Sequence, residues 1–586
     1  MSDDMLKLFK NLTKKEYLLM IISVLLIVFQ VYLDLKMPDY MSEITRLVQT
    51  KGSKMSDILL NGGFMLLCAL GSLTSAVVVG YLIANISSAF SMHTRKKLFN
   101  KVESLGLGEV KEFKTSSLIT RTTNDITQIE MFLGMGMQMI IKAPITAIWA
   151  ISKILNKSYE WSIATAVAVI VLLVVISIIT SIVVPKFKIV QKTIDKLNNI
   201  TRENLTGIRV IRAFNAEEYQ NEKFEKVNND LTKLLTFNQK TFAVFSPFMF
   251  FVMHALSLSI YFIGAYLISN SLLIDKLTIF SNMVVFSSYA MQVITSFLML
   301  AFVFMMMPRA NVSAKRINEV LDKEIAIKDG NIVLSKDKGT IEFKNVSFMY
   351  DDAEEYVLDN ISFKVNKGET VAFIGSTGSG KSTLINLIPR FYDVTKGEIL
   401  VDGINIKDYK EECLRDKIGY VSQRAVIFKG TVKSNIAFGN KNVTDKNIKE
   451  AIKVAQAEEF VLKMDNKYDS ELSQSGTNIS GGQKQRLSIA RAIAKDPEIY
   501  IFDDSFSALD YKTDSLLRKK LKEHAKDATI LIVAQRIGTV LNADKIIVLD
   551  EGKCVGIGTH KELFKTCEVY KQIALSQLTK EEAENA

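Results

Sequence analysis

The sequence predicts an α-helical membrane domain joined to an α/β domain built around a phosphate-binding loop, and three observations carry that expectation. Six apolar stretches of membrane-spanning length lie before residue 310. After residue 338 the chain changes to short aliphatic runs punctuated by glycine and aspartate, as strands and turns of an α/β fold are. One of those runs opens into a glycine-rich loop followed by Lys-Ser and an apolar helix. Averages conceal the division: across 586 residues the 48% hydrophobic content and mean hydropathy of +0.17 look ordinary, because an oily half is averaged with a polar one.

A bilayer core about 30 Å thick takes about 20 apolar residues as helix. The spans fall near 17–37, 58–90, 128–154, 160–184, 241–269 and 277–307, several of them long enough to project into water. The first follows Lys7, Lys10, Lys14 and Lys15, as a secretory leader would, but it closes on Asp34, Lys36 and Pro38 without a small-residue cleavage pattern. It therefore reads as an uncleaved helix. Moderate or short connections (38–57, 155–159, 270–276) alternate with two long ones (91–127, 185–240). The long ones carry most of the basic residues, among them Arg95 to Lys97 and Lys186 to Lys196, which makes them cytoplasmic and puts the C-terminal half there too. Leu, Ile, Val and Phe recur in both at helical spacing, so the helices are expected to continue below the bilayer. Their turning points are expected at 113–125 and 206–220.

The net charge of +10 does not point to a nucleic-acid partner, because the basic residues track the connections between spans rather than forming one binding stripe. Cys68, Cys413, Cys554 and Cys567 are too scattered for a metal site or redox pair, and so are His93, His254, His524 and His560. Within the spans, Lys142 beside Pro144 either faces a pathway or partner or extends to the interface. Phe297, Leu298, Met299, Phe302, Phe304, Met305, Met306 and Met307 in the sixth span suit an adaptable apolar cavity, and equally a lipid-facing or core surface.

In the second half, IEFKNVSFMY (341–350) alternates as a half-buried strand does. The strand 370–374 leads into Gly375, Ser376, Thr377, Gly378, Ser379, Gly380, Lys381, Ser382 and Thr383. In that context successive backbone N–H groups turn toward one anion at a helix N-terminus. Lys381 is expected at the β- and γ-phosphates of ATP and Ser382 on Mg2+. A second aliphatic strand, 498–502, ends in Asp503, placed to hold the hydrated magnesium from the opposite side.

Between these motifs TNISGGQKQRLSIARAI (477–493) resembles the signature of ABC ATPases, with Ile479 for the usual Leu. The resemblance is to exporter-type ABC transporter halves and runs the length of the chain. It extends to Tyr350 as the adenine-stacking residue, Gln423 as the Q-loop glutamine and a further magnesium ligand, and Ser507, Ala508, Leu509 and Asp510 as the D-loop. The segments 113–125 and 206–220 resemble coupling-helix regions. The implied division is 1–310 membrane domain, 311–338 linker, 339–578 ATP-binding domain and 579–586 tail. The family's arrangement implies that Ser480, Gly481, Gly482 and Gln483 act on ATP held by a second ABC half-transporter chain.

Three further positions depart from the family. Asp504 stands where the water-polarising Glu is usual, one methylene short. Gln535 stands at the switch histidine, where an amide can neither become a cation nor relay a proton. Gln474 replaces a common Glu before the signature. With the signature itself intact, the pattern resembles the degenerate-site half of bacterial heterodimeric multidrug exporters. It implies a slow site on this chain and a heterodimer that moves an amphipathic or apolar substrate out of a lipid membrane. A slow homodimer, or an ATP-gated regulatory membrane protein, is the alternative.

Overall fold

The computed structural model describes residues 3–50, 52–155, 159–335, 338–440 and 443–585. The chain divides into two compact units, Met1–Glu103 with Thr115–Lys323, and Ser104–Lys114 with Glu324–Ala586.

Among the described residues the first unit holds six helices long and apolar enough to cross a membrane: Lys14–Gln49, Met55–Ser104, Thr115–Leu155, Tyr159–Val183, Glu217–Ser269 and Asp275–Leu321. The first starts cleanly because Thr13 and Glu16 form a reciprocal cap, with Thr13 N–H donating to Glu16 Oε2 at 2.6 Å. Large side chains such as Leu25, Leu67, Ile170 and Phe262 remain uncovered by protein, as a lipid-facing surface requires. The helices meet around Ile27, Val31, Val79, Ile83, Trp161, Phe286 and Tyr289. Trp161 packs on Phe286 at 5.3 Å, and its indole N–H donates to Ile260 O at 3.1 Å, so its one polar atom is satisfied inside the bundle.

Two lysine–aspartate pairs lie in this bundle. Lys142 Nζ lies 3.2 Å from Asp34 Oδ2, and Ser72 Oγ donates to Asp34 Oδ1 at 2.5 Å. Nearby, Lys153 Nζ is 2.8 Å from Asp39 Oδ2 while Tyr289 OH donates to Asp39 Oδ1 at 2.6 Å. Lys142 thus has an internal carboxylate partner, the arrangement that makes such a charge tolerable. In the sixth span Phe302 and Phe304 are exposed and Phe297 and Leu298 pack on the core; the side chain of Met305 lies outside the described residues.

The helix ends correct several expectations. The long connections are helix nearly throughout. The first turns at 105–114, around the short helix Leu107–Phe113 and Lys114 with φ 61°, earlier than the predicted 113–125. From Thr115 onward that segment instead lies in the returning helix, which carries π turns at Arg121–Asp125 and Phe132–Gly136. The second turn, between Ala213 and Glu217 with Asn215 at φ 49°, falls within 206–220. Residues 156–158 of the predicted short connection lie outside the described residues, as do 336–337 of the predicted linker. The predicted linker 311–338 starts inside a helix: Leu273–Leu321 continues past the apolar run because Ala310, Ala314, Ile317 and Val320 keep a buried stripe. The N-terminal helix Asp3–Phe9 packs there, with Lys7 Nζ 2.5 Å from Asp322 Oδ2 and Asn318 Nδ2 donating to Asp4 O at 2.9 Å. The tail is also ordered as the helix Lys580–Asn585, and its Ala583 O lies 2.9 Å from His560 Nε2.

The second unit contains β1 (Ile341–Phe348), β2 (Leu358–Val365), β3 (Thr370–Gly375), β4 (Lys396–Val401), β5 (Ile404–Asn405), β6 (Ile418–Val421), β7 (Gly430–Thr431), β8 (Glu471–Leu472), β9 (Ile499–Asp503), β10 (Thr529–Val533), β11 (Lys545–Asp550) and β12 (Lys553–Gly558). Its main sheet has the order β12-β11-β3-β10-β9-β6, parallel except for the β11–β12 hairpin. A second, antiparallel sheet runs β2-β1-β4-β5. Strands β9 and β10 are buried along their whole length, which is why they read as continuous aliphatic runs rather than alternating ones. The helix after the loop, Lys381–Leu387, is shorter than TLINLIPRFY suggested, since Pro389 is incompatible with its continuation.

Candidate functional site

Parallel neighbours β3 and β9, one on each side of β10, aim Gly375 and Asp503 toward the same end of the sheet, where ligands of open α/β sheets bind. The loop between β3 and the helix Lys381–Leu387 depends on glycine at two places. Gly380 adopts φ 91°, and a Cβ there would meet Leu358 Cδ2 at 2.7 Å; a Cβ at Gly375 would fall 2.0 Å from Leu549 O. Lys381 is buried and folded back across the loop, donating to Gly375 O at 3.0 Å, Ser376 O at 2.6 Å and Ser379 Oγ at 3.2 Å. Burial lowers its pKa, against the attraction of Asp504 and Asp503. A folded-back ammonium braces the loop and is available to phosphate oxygens, which are stronger acceptors than carbonyls.

Ser382 Oγ donates to Asp503 Oδ1 at 2.8 Å. Burial pushes the Asp503 carboxyl up, with the charge of Asp504 acting in the same direction. A buried carboxylate held up in this way favours a nearby cation. Among the described residues no group of three or more His, Cys, Asp or Glu could hold a metal. A hydroxyl beside a carboxylate fits a hard ion that keeps waters and phosphate oxygens as its remaining ligands, as Mg2+ does.

Asp504 is the centre of a hydrogen-bond cluster. It is buried, left-handed at φ 44°, and its N–H donates to Val533 O at 3.0 Å. Its Oδ2 accepts two amides, Gln423 Nε2 at 3.3 Å and Gln535 Nε2 at 3.1 Å. Burial raises its pKa, opposed by the Gln423 hydrogen bond and by the charges of Arg536 and Lys381. Gln535 is held in turn by Gln577, whose Nε2 donates to Gln535 O at 2.8 Å and whose Oε1 accepts Ile537 N–H at 2.8 Å. Arg536 donates to Ser507 O at 3.2 Å, joining the residues after β10 to Ser507–Asp510. No local motif marks Gln577, which comes from 42 residues away.

Tyr350 lies just past β1. Its hydroxyl is 3.1 Å from Thr383 Oγ1, and its ring meets Phe348 at 4.8 Å and Tyr392 at 5.4 Å, both edge-on. The signature serine caps the helix Gly481–Ala494: Ser480 N–H donates to Gln483 Oε1 at 2.8 Å and Ser480 Oγ accepts Gln483 N–H at 3.3 Å. Gly482 lies where a Cβ would be 3.3 Å from Ala508 O. Gln474 begins a 3-10 turn in which Ser475 has φ 59°. Among the described residues no hydrogen bond joins Ser480–Gln483 to Gly375–Thr383.

The sequence profile described as "ABC transporter" matches residues 358–507, and that described as "ABC transporter transmembrane region" matches 20–297. An "uncharacterized ABC transporter ATP-binding protein", YfiB of Bacillus subtilis, is 35% identical over 520 residues, 88% of each chain. A "putative multidrug export ATP-binding/permease protein" of Staphylococcus aureus is 34% identical over 500 residues, 84% of this chain and 85% of that one. The fold matches a solved bacterial Atm1-family ABC exporter with ATP bound, at a TM-score of 0.82 and 23% identity, covering 97% of this chain and 100% of the other.

Proposed function

This chain belongs to the ABC transporter family, as a multi-pass membrane region fused to its cytoplasmic ATP-binding domain, and from that premise we propose that it is one half of an ATP-driven exporter whose own ATP site turns over slowly. The observation that carries the reading is the single oxygen, Asp504 Oδ2, that accepts amide hydrogens from both Gln423 and Gln535. With both lone pairs of that oxygen engaged, a water would have to displace an amide to be polarised by it, and the carboxylate is about one methylene short of the glutamate it replaces, where about 1 Å of misplacement costs on the order of 10²-fold in rate.

Nucleotide binding does not need that carboxylate. Tyr350 offers a ring for adenine, the amides of Gly375–Thr383 wrap the phosphates, and Lys381 releases loop carbonyls to reach the β- and γ-oxygens. Ser382, Asp503 and Gln423 are the groups that would hold Mg2+, which when bound neutralises phosphate charge. Gln535 can donate to a γ-phosphate but supplies no cation and no relayed proton. The site is therefore suited to retaining ATP.

The intact signature supports a second role. Ser480–Gln483 form an exposed helix N-terminus, a ready seat for the phosphates of ATP carried by another chain. A related half-transporter with the usual Glu and His would gain a competent site there, so a heterodimer uses this chain's chemistry better than a homodimer does. The likeness to a relative named for multidrug export favours an amphipathic or apolar cargo.

The ranking of two substitutions in the purified complex tests this assignment. Lys381→Ala is expected to empty this chain's site while leaving part of the ATPase rate; Ser480→Arg is expected to remove nearly all of it. The opposite order would put the competent site on this chain's own loop, and mass spectrometry of the same preparation reads whether the companion is a second sequence.

A further inference from the structure

Residues 105–114 connect two membrane-spanning helices in sequence, yet they pack with the nucleotide-binding unit. Glu109 is buried, and its Oε1 accepts Ala326 N–H at 2.9 Å. Gly108 brings the backbone to Asp351 and Tyr392, where a Cβ would be 3.7 Å from Asp351 Oδ2 and 4.0 Å from the Tyr392 ring. This anchoring presents Lys111 to the base-side aromatics: its Nζ lies 5.4 Å from the centroid of the Tyr350 ring and 3.6 Å from Asp352 Oδ2.

We propose that Lys111 is a positioning residue for nucleobase binding, holding the Tyr350 ring in the orientation on which adenine stacks. The inference rests on the reading of Tyr350 as the base-stacking residue. A cation within about 6 Å of a ring centroid is attracted to the ring's electron-rich face. Here it acts on a side chain whose hydroxyl is already tied to Thr383 and whose ring is braced by Phe348 and Tyr392. The ammonium restrains the remaining freedom of the ring, so less ordering is left for the base to impose. On the same reading the phosphate end of the nucleotide would fall to the loop amides and Lys381, whose hydrogen bonds run to Gly375, Ser376 and Ser379 and not to Lys111. The effect therefore belongs to the base alone. Linkage makes it mutual: a stacked base strengthens the hold on the loop by the factor by which the loop strengthens stacking.

Hydrogen exchange at the 375–383 peptide of this chain, in the intact complex in the cold, reads occupancy of this site separately from its companion's. Titration with ATP is compared with titration with tripolyphosphate, which has no base. Lys111→Met is expected to raise the ATP concentration for half-protection about two- to five-fold and to leave the tripolyphosphate curve in place. Lys111→Arg, which keeps a cation for the ring, restores the ATP curve. In a Tyr350→Leu background Lys111→Met has no further effect. Equal shifts for both ligands, no shift for ATP, or a shift that persists without the tyrosine ring overturns the proposal. If Tyr350→Leu itself leaves ATP protection unchanged, the base-stacking reading falls as well; if it weakens ATP and Lys111→Met does not, only the role of Lys111 falls.

Discussion

Asp504 and Gln535, the two residues on which the proposed slow site rests, meet at one oxygen. Lengthening the carboxylate alone leaves the Gln535 amide beside it, and replacing the amide alone leaves the carboxylate short. Asp504→Glu and Gln535→His together are expected to raise turnover at this site by roughly 10- to 100-fold, with each single change giving much less. The measurement is steady-state ATPase in a complex whose companion loop lysine has been replaced, so that only the repaired site is counted. The sequence singles out both residues because Asp504 follows the strand-end Asp503 and Gln535 lies in Val533–Arg536, runs that resemble the family's. Their convergence on Oδ2 was not legible there, since Gln423, Asp504 and Gln535 come from the ends of β6, β9 and β10 and only the parallel sheet order brings them together. Gln577 was less legible still, as a glutamine between Ser576 and Leu578 carries no pattern.

At the scale of single elements, the membrane-spanning helices were readable where the bilayer imposes apolar composition and unreadable where it ends. Hydropathy falls off near residue 307, but the helix continues to Leu321 on a stripe of small and aliphatic residues too sparse to raise the average. The first cytoplasmic turn was displaced for a related reason: the amphipathic pattern runs through Leu118, Ile126 and Ile129, while the break comes earlier, at the Leu-Gly-Leu-Gly of 105–108. The clearest energetic consequence is in the Asp34–Lys142 pair, whose side chains are 23% and 19% exposed and so only partly screened. Lys142→Met is expected to destabilise the membrane region by about 1–3 kcal/mol, less than the full cost of orphaning a deeply buried charge. Asp34→Asn with Lys142→Met should recover most of that loss. Unfolding of the purified protein in mixed micelles measures these variants and Asp34→Asn alone, and a double-variant loss equal to the sum of the two single losses would show that the pair does not couple.

Over the whole molecule, chain order and structural membership differ. The polypeptide passes from one unit to the other at 103/104, 114/115 and 323/324. A fragment beginning at Glu324 therefore lacks the Glu109 acceptor for Ala326 N–H as well as Lys111. The lost hydrogen bond to a charged group is worth about 1.5–3 kcal/mol, so the isolated 324–586 fragment is expected to melt about 3–8 °C below the same unit in the intact protein. A synthetic 104–114 peptide at high concentration should return part of the difference, read by differential scanning fluorimetry.

That threading bears on how such a protein can be recombined. A chimera joined only at residue 323 would mate one parent's catalytic half with the other parent's eleven-residue insert. A graft that respects the physical boundary exchanges both pieces, 104–114 along with everything after 323, because heritable modules here are defined by what touches rather than by what is contiguous.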